Sequence, residues 1–168
     1  MNFVIWLDGV VLKVDLTDVL YRKYKGEKIE GLEVTTEVFP DWYPFLEKLR
    51  QKVSNDKIVF LSPYDKETTK KVMESLAIAN FSYVSNDDGI TKPSKIPYKA
   101  LFNMTRWDPM ETITIGSSPL DLLSARFFDS RIKVACVKRF QDCSRYSPYI
   151  MADSLEKLYE ILMRLRKL

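Results

Sequence analysis

The sequence contains no histidine among its 168 residues. Without imidazole, Ser-His-Asp and Cys-His catalysis are excluded, and so are metal sites that rely on histidine ligands. Any chemistry must therefore use carboxylates, lysine, hydroxyl groups and backbone amides.

Cysteine is also scarce, with only Cys136 and Cys143. Two cysteines without histidine predict neither a zinc site nor a disulfide framework, so we expect a reduced, cytoplasmic protein.

Long apolar runs are missing as well. No segment approaches the roughly 18 apolar residues of a membrane span, and the first residues do not resemble a secretory signal. We therefore expect no membrane association.

The net charge of the chain is small, at +3, and 46% of the residues are hydrophobic. Lysine and arginine are spread along the chain, except for Arg164, Arg166 and Lys167 near its end. This distribution gives little support to nucleic-acid binding. Because the length and composition are those of one globular domain, we predict a single domain over residues 1–168.

Five short apolar runs rich in β-branched residues lie at 3–7, 57–61, 81–84, 112–115 and 133–137. Amphipathic segments alternate with them at 42–53, 65–77, 119–128 and 154–165, with a shorter one near Pro97, and Asp41 and Ser154 are candidate helix caps. This alternation predicts a three-layer, Rossmann-like α/β fold around a parallel sheet. Residues 13–40 interrupt it, with a hairpin or short helix at 17–24, and we interpret them as a flap or minimal cap insert over the strand ends.

Polar residues follow four of the apolar runs. In parallel sheets, ligands bind outside the carboxyl ends of the strands, so these residues are the candidates for a site. They occur in four segments: Trp6-Leu7-Asp8-Gly9-Val10, Ser62-Pro63, Lys92-Pro93 and Gly116-Ser117-Ser118-Pro119-Leu120-Asp121.

These segments resemble the motifs of phosphatases of the haloacid dehalogenase (HAD) superfamily. In that family a first strand ends in Asp-x-Asp-Gly-(Thr/Val) and a second in Ser or Thr. A lysine, often before proline, comes next, and Gly-Asp-Ser-Pro-x-Asp follows a fourth strand. Order and spacing match over nearly the whole chain except residues 13–40. The resemblance implies a capless or minimally capped HAD fold, with the first and fourth strands side by side at the centre.

Two positions depart from the family pattern. The aspartate that attacks phosphorus in the family is Trp6 here, and the first magnesium-binding aspartate of the last motif is Ser117. Asp8 matches the family's acid and base, and Asp121 matches the last metal-binding aspartate. A shifted alignment with Asp8 as nucleophile would place Val10 at the acid position, so either alignment lacks one carboxylate.

The remaining matches imply a phosphate-binding set, made up of Ser62, Lys92 and Gly9. Each candidate also has a purely structural interpretation. Asp8 could hydrogen-bond its own turn, Ser62 and Asp121 could belong to helix starts, Lys92 could be a surface residue, and Trp6 could fill a vacant pocket in the core.

Three functional hypotheses follow. The first is a catalytically degenerate HAD protein that binds a phosphorylated or other anionic ligand, or regulates a partner, and needs no cofactor. The second is an active, magnesium-dependent phosphatase that uses Asp8 and Asp121 in altered roles. The third is a scaffold subunit whose sign would be an exposed aromatic surface around Trp42, Tyr43 and Trp107. Protein partners and self-association are left open.

Overall fold

The apolar runs form a six-stranded, wholly parallel sheet in the computed structural model, which describes all 168 residues. The strands are β1 (Asn2–Trp6), β2 (Ile58–Leu61), β3 (Ser82–Val84), β4 (Thr112–Gly116), β5 (Lys133–Val137) and β6 (Ile150–Ala152). Their order across the sheet is β3-β2-β1-β4-β5-β6. The predicted α/β fold is confirmed, and β1 and β4 are neighbours at the centre, with Val4 paired to Thr114.

Both faces of the central strands are covered. Successive side chains of a strand point to opposite faces of a sheet. In β1 the side chains from Phe3 to Trp6 are all fully buried, and every residue of β4 is buried as well. Helices pack against the sheet: α5 (Pro119–Phe128) contacts β4 and β5, and α6 (Leu155–Arg164) contacts β5 and β6. The continuous apolar runs that form these two central strands are therefore explained by the lack of a solvent-facing side.

The helices lie close to their predicted positions. They are α1 (Thr17–Tyr24), α2 (Trp42–Lys52), α3 (Lys66–Ser75), α4 (Ile96–Thr105), α5 (Pro119–Phe128) and α6 (Leu155–Arg164). Ser154 caps α6 as predicted, because its hydroxyl accepts a hydrogen bond from the amide of Lys157 at 3.0 Å. The short strand β6 was not predicted, since three residues do not form a recognisable apolar run. None of the helices is long and apolar enough to cross a membrane.

Asp41 differs from its predicted role. It precedes α2, but its side chain makes no capping bond there. Its carboxylate instead accepts hydrogen bonds from Arg139 at 2.7 and 2.9 Å and from the amide of Leu155, the first residue of α6, at 2.9 Å. The prediction that it caps α2 is wrong, because a bidentate guanidinium and a distant helix start engage both of its oxygens.

The segment of residues 13–40 contains α1 and otherwise no helix or strand. Three side-chain hydrogen bonds connect it to loops at the carboxyl ends of strands, one of them from Gln141, after β5, to Asp15 at 2.8 Å. Tyr64, shortly after β2, donates its hydroxyl to the carbonyl of Glu33 at 2.6 Å, and Thr17 donates to Ser118, after β4, at 2.9 Å. The segment therefore crosses the edge of the sheet where the candidate site residues lie. That the chain forms one domain stays a prediction.

Candidate functional site

Lys92 lies between two carboxylates at the carboxyl edge of the sheet. Its Nζ is 2.6 Å from Oδ2 of Asp8 and 2.6 Å from Oδ1 of Asp121. Asp8 belongs to the turn after β1, Lys92 to the loop between β3 and α4, and Asp121 to the first turn of α5. Three of the four polar segments singled out in the sequence thus meet at one point.

This ion triad, made up of Asp8, Lys92 and Asp121, is shielded from solvent, and no member is more than 3% exposed. Burial by itself lowers the pKa of Lys92, but the charges of Asp121 and Asp8 outweigh it and raise that pKa above its ordinary value. Lys92 is therefore a fixed cation. Two carboxylates share this one ammonium group, and the triad carries a net charge of −1 when both are ionised.

Asp121 is held in place by the start of its own helix. Its Oδ2 accepts hydrogen bonds from the amides of Ser117 at 2.9 Å and Ser118 at 3.2 Å. Gly116 makes this possible, since a Cβ there would lie 2.6 Å from Cβ of Asp121. Burial raises the pKa of Asp121 to about 6, because the loss of solvation and the charge of Asp8 outweigh the attraction of Lys92.

Trp6 completes the enclosure of the ammonium group. Its ring centroid is 4.3 Å from Nζ of Lys92, a cation–π distance, and the indole is fully buried. Its Nε1 donates to the hydroxyl of Tyr98 at 3.1 Å, and that hydroxyl is hydrogen-bonded to Thr114 of β4 at 2.6 Å. Burial raises the pKa of Tyr98, so its hydroxyl stays protonated. Trp6 therefore fills the space beside Lys92, at the position that matches the nucleophilic aspartate of the HAD family.

Gly9 brings the turn after β1 against the loop after β4. Its φ is +78°, and a Cβ at this position would clash with the hydroxyl of Ser117. Only glycine satisfies both conditions at low cost. Asp8, beside it, keeps one oxygen unused: Oδ1 is buried and has no hydrogen-bond partner.

Ser62 is buried after β2 but has different partners. Its hydroxyl is hydrogen-bonded to the hydroxyl of Thr69 at 2.7 Å and accepts from the amide of Tyr64 at 3.1 Å. It thus helps to join the end of β2 to α3, and neither bond involves Lys92. A phosphate-binding role for Ser62, Lys92 and Gly9 stays a prediction.

Comparisons with known proteins bear on the fold. No protein-family model matches the sequence, and no curated protein matches it. Solved structures do match. One is YfnB of Bacillus subtilis, assigned as a HAD-hydrolase and bound to magnesium, with 13% identity, coverage of 96% of this chain and 97% of that one, and a TM-score of 0.75. This chain has the HAD fold.

Two further HAD structures are similar over almost the whole chain. SP0104 of Streptococcus pneumoniae, a haloacid dehalogenase-like hydrolase, covers 96% of this chain and 97% of its own at 13% identity, with a TM-score of 0.70. A HAD-superfamily hydrolase of Ehrlichia chaffeensis covers 98% of this chain and 97% of its own at 12% identity, with a TM-score of 0.69. At this identity the likeness is one of fold.

The HAD fold raises the question whether these residues fit a magnesium ion. Magnesium takes near-octahedral oxygen ligation, commonly with one or two carboxylates. Both oxygens of Asp121 are engaged, by Lys92 and by backbone amides. Positions 6 and 117 supply an indole and a hydroxyl, which leaves Oδ1 of Asp8 as the free carboxylate oxygen. This donor set does not fit the metal, and no group of three or more acidic or cysteine side chains elsewhere is placed to hold one.

Sequence reasoning missed the residues that hold Trp6 in place. The sequence analysis placed a helix near Pro97 and an apolar run at 112–115 but gave no role to Tyr98 or Thr114. Both side chains carry a hydroxyl group, and both are fully buried. A buried hydroxyl requires a partner, and this was the available signal, but only the structure shows that the partner is the indole of Trp6.

Proposed function

We propose that this HAD-fold protein forms no aspartyl-phosphate and acts as a non-catalytic binding or regulatory protein. The observation that supports the proposal is the enclosure of Lys92, whose ammonium group contacts Asp8, Asp121 and the face of Trp6. The nucleophile position is occupied by Trp6, and Lys92 and Asp121 are engaged within the protein, which leaves only Oδ1 of Asp8 unpaired.

Phosphoryl transfer depends on a positioned nucleophile and on positive charge that neutralises the transferring group. Trp6 carries no nucleophilic oxygen. The positive charge of Lys92 is offset by two carboxylates, and the donors present do not fit magnesium. Loss of such charge stabilisation costs several orders of magnitude in rate, so the combined loss supports a protein without this activity.

Binding of an anion at Lys92 is compatible with this proposal under one condition. Because the triad already carries an excess of one carboxylate, a phosphate oxygen could approach Nζ only by displacing Asp8. The unpartnered Oδ1 of Asp8 makes this residue the weaker held of the two carboxylates. Any anionic ligand would therefore bind with movement of the turn after β1.

The scaffold hypothesis receives less support. Trp42 is fully buried and Trp107 is partly buried, so the aromatic surface expected around Trp42, Tyr43 and Trp107 does not form. Of the three rings, only Tyr43 is exposed.

The proposal is tested by assaying the purified protein with p-nitrophenyl phosphate, with and without millimolar magnesium. We expect no magnesium-dependent hydrolysis. Asp8→Asn serves as the site variant and Asp108→Asn, an exposed carboxylate, as its matched control. Hydrolysis that requires magnesium, is lost in Asp8→Asn and persists in Asp108→Asn would overturn the proposal in favour of an active phosphatase. Activity that is equal in both variants does not depend on Asp8 and therefore does not support a phosphatase that uses this site.

A further inference from the structure

The sequence contains two Asp-Gly pairs, Asp8-Gly9 and Asp88-Gly89. In such a pair the backbone nitrogen of the glycine can attack Cγ of the aspartate, because glycine has no Cβ to hinder the approach. The attack requires a free amide, a carboxyl group that can turn towards it, and room for the backbone to change its dihedral angles. The two pairs differ in all three respects.

The pair Asp88-Gly89 lies in the loop between β3 and α4, and both residues are exposed. The carboxylate of Asp88 takes part in no hydrogen bond and no ion pair of the protein. The amide of Gly89 donates to no acceptor. A Cβ added at Gly89 would meet no atom within 4 Å, so the space around it is open. Both reacting groups are therefore free in the folded protein.

The residues on either side of this pair are fixed. Asp87 accepts a hydrogen bond from the amide of Lys66 at 2.9 Å, and the carbonyl of Thr91 accepts one from the amide of Ser94 at 3.0 Å. Residues 88–90 between them make no backbone hydrogen bond. Conformational freedom is thus confined to a short exposed segment, and a change there does not require the neighbouring elements to unfold.

The pair Asp8-Gly9 has the opposite environment. The carboxylate of Asp8 lies 2.6 Å from Nζ of Lys92, and the amide of Gly9 donates to the carbonyl of Leu12 at 3.0 Å. A Cβ at Gly9 would clash with the hydroxyl of Ser117, so there is no room around this turn. The same reaction would therefore first require the turn after β1 to open, which is a local unfolding step.

We propose that Asp88-Gly89 is a site of spontaneous isoaspartate formation in the folded protein. The nitrogen of Gly89 forms a bond to Cγ of Asp88, the bond from Cγ to its hydroxyl oxygen breaks, and water leaves with the amide proton. Water then opens the five-membered imide ring at the former main-chain carbonyl carbon of Asp88. The water released in the first step balances the water consumed in the second, so no other reactant is needed.

The product has the same mass as the original chain, and its main chain is one methylene group longer between β3 and Lys92. The α-carboxylate of the isoaspartate replaces the side-chain carboxylate, so the net charge is unchanged. The site is separate from the ion triad, and the modification does not depend on whether the triad is catalytic.

The full-length protein is incubated in its folded state at mildly acidic pH and then digested. Mass spectrometry with electron-transfer fragmentation distinguishes isoaspartate from aspartate at each position. We expect isoaspartate at position 88 to accumulate with time and to exceed that at position 8 by more than about tenfold, since position 8 reacts only after local opening. In urea, where both pairs are unfolded, the two positions should react to similar extents. A folded protein that gains no more isoaspartate at position 88 than at position 8 would refute the proposal.

Two variants test the chemistry at the exposed position. Asp88→Glu keeps the charge but would need a six-membered ring, so the isomerised product should disappear. Asp88→Asn should react faster than the wild type at neutral pH, because a neutral amide loses ammonia more readily than an ionised carboxylate loses its oxygen, and each event adds one negative charge that ion-exchange chromatography detects. Neither variant should change the melting temperature. An isomer that persists in Asp88→Glu, or an Asp88→Asn protein that keeps its amide, shows that this pair does not form the ring, and the assignment fails.

Discussion

The lack of histidine makes the titration of the ion triad measurable through stability. No side chain of this sequence has an ordinary pKa between 5 and 7. Asp121 is the exception created by folding, since its pKa rises from 3.8 to about 6. Between these two values the folded protein binds a proton that the unfolded chain releases. The stabilisation is therefore complete below pH 3.8 and is lost as the pH rises through 6.

The expected magnitude follows from these two values. On going from pH 7 to pH 5, the proton taken up by Asp121 should increase the free energy of unfolding by about 1 kcal/mol. Urea denaturation at a series of pH values measures it directly. In Asp121→Asn the dependence between pH 5 and 7 should disappear. If the stability of the wild-type protein stays constant or decreases as the pH is lowered from 7 to 5, the reasoning is refuted, because both carboxylates would then be ionised throughout.

Two further predictions concern the partners of Trp6 and of the carboxylates. Lys92→Met should destabilise the protein by about 3–5 kcal/mol at pH 7 in urea denaturation, because two buried carboxylates then lack a cation, and the loss should shrink at pH 5. An unchanged midpoint at pH 7 would show that the triad is not ionised. Tyr98→Phe should cost about 1–3 kcal/mol, since Nε1 of Trp6 and the hydroxyl of Thr114 each lose a partner. Tyr24→Phe, at an exposed ring, is the control and should cost nothing measurable.

The fold was predictable because its signals are local and repeated. Continuous apolar runs indicated buried parallel strands, and polar residues directly after them indicated the edge where Asp8, Lys92 and Asp121 meet. The partners of those residues were not predictable. Whether Lys92 faces an anion or two carboxylates depends on side-chain positions separated by more than 80 residues along the chain, from Asp8 to Lys92.

Asp41 is a second residue whose hydrogen-bond partners could not be predicted from the sequence. Its position before α2 is a local signal, and it correctly marks where that helix begins. The side chain is nevertheless directed to Arg139 and to the start of α6, both about 100 residues away. Local sequence thus predicts where elements start, whereas the pairing of polar side chains is decided by the packing of distant elements.

The packing of Trp6 against Lys92 determines how position 6 can respond to substitution. A single change of Trp6 to aspartate would place three carboxylates around one ammonium group, in a buried space shaped for an indole. Position 117 carries no carboxylate that could bring in a metal ion to offset the added charge. Trp6→Asp alone is therefore expected to lower the stability of the protein, and position 6 can accept a carboxylate only together with changes around it.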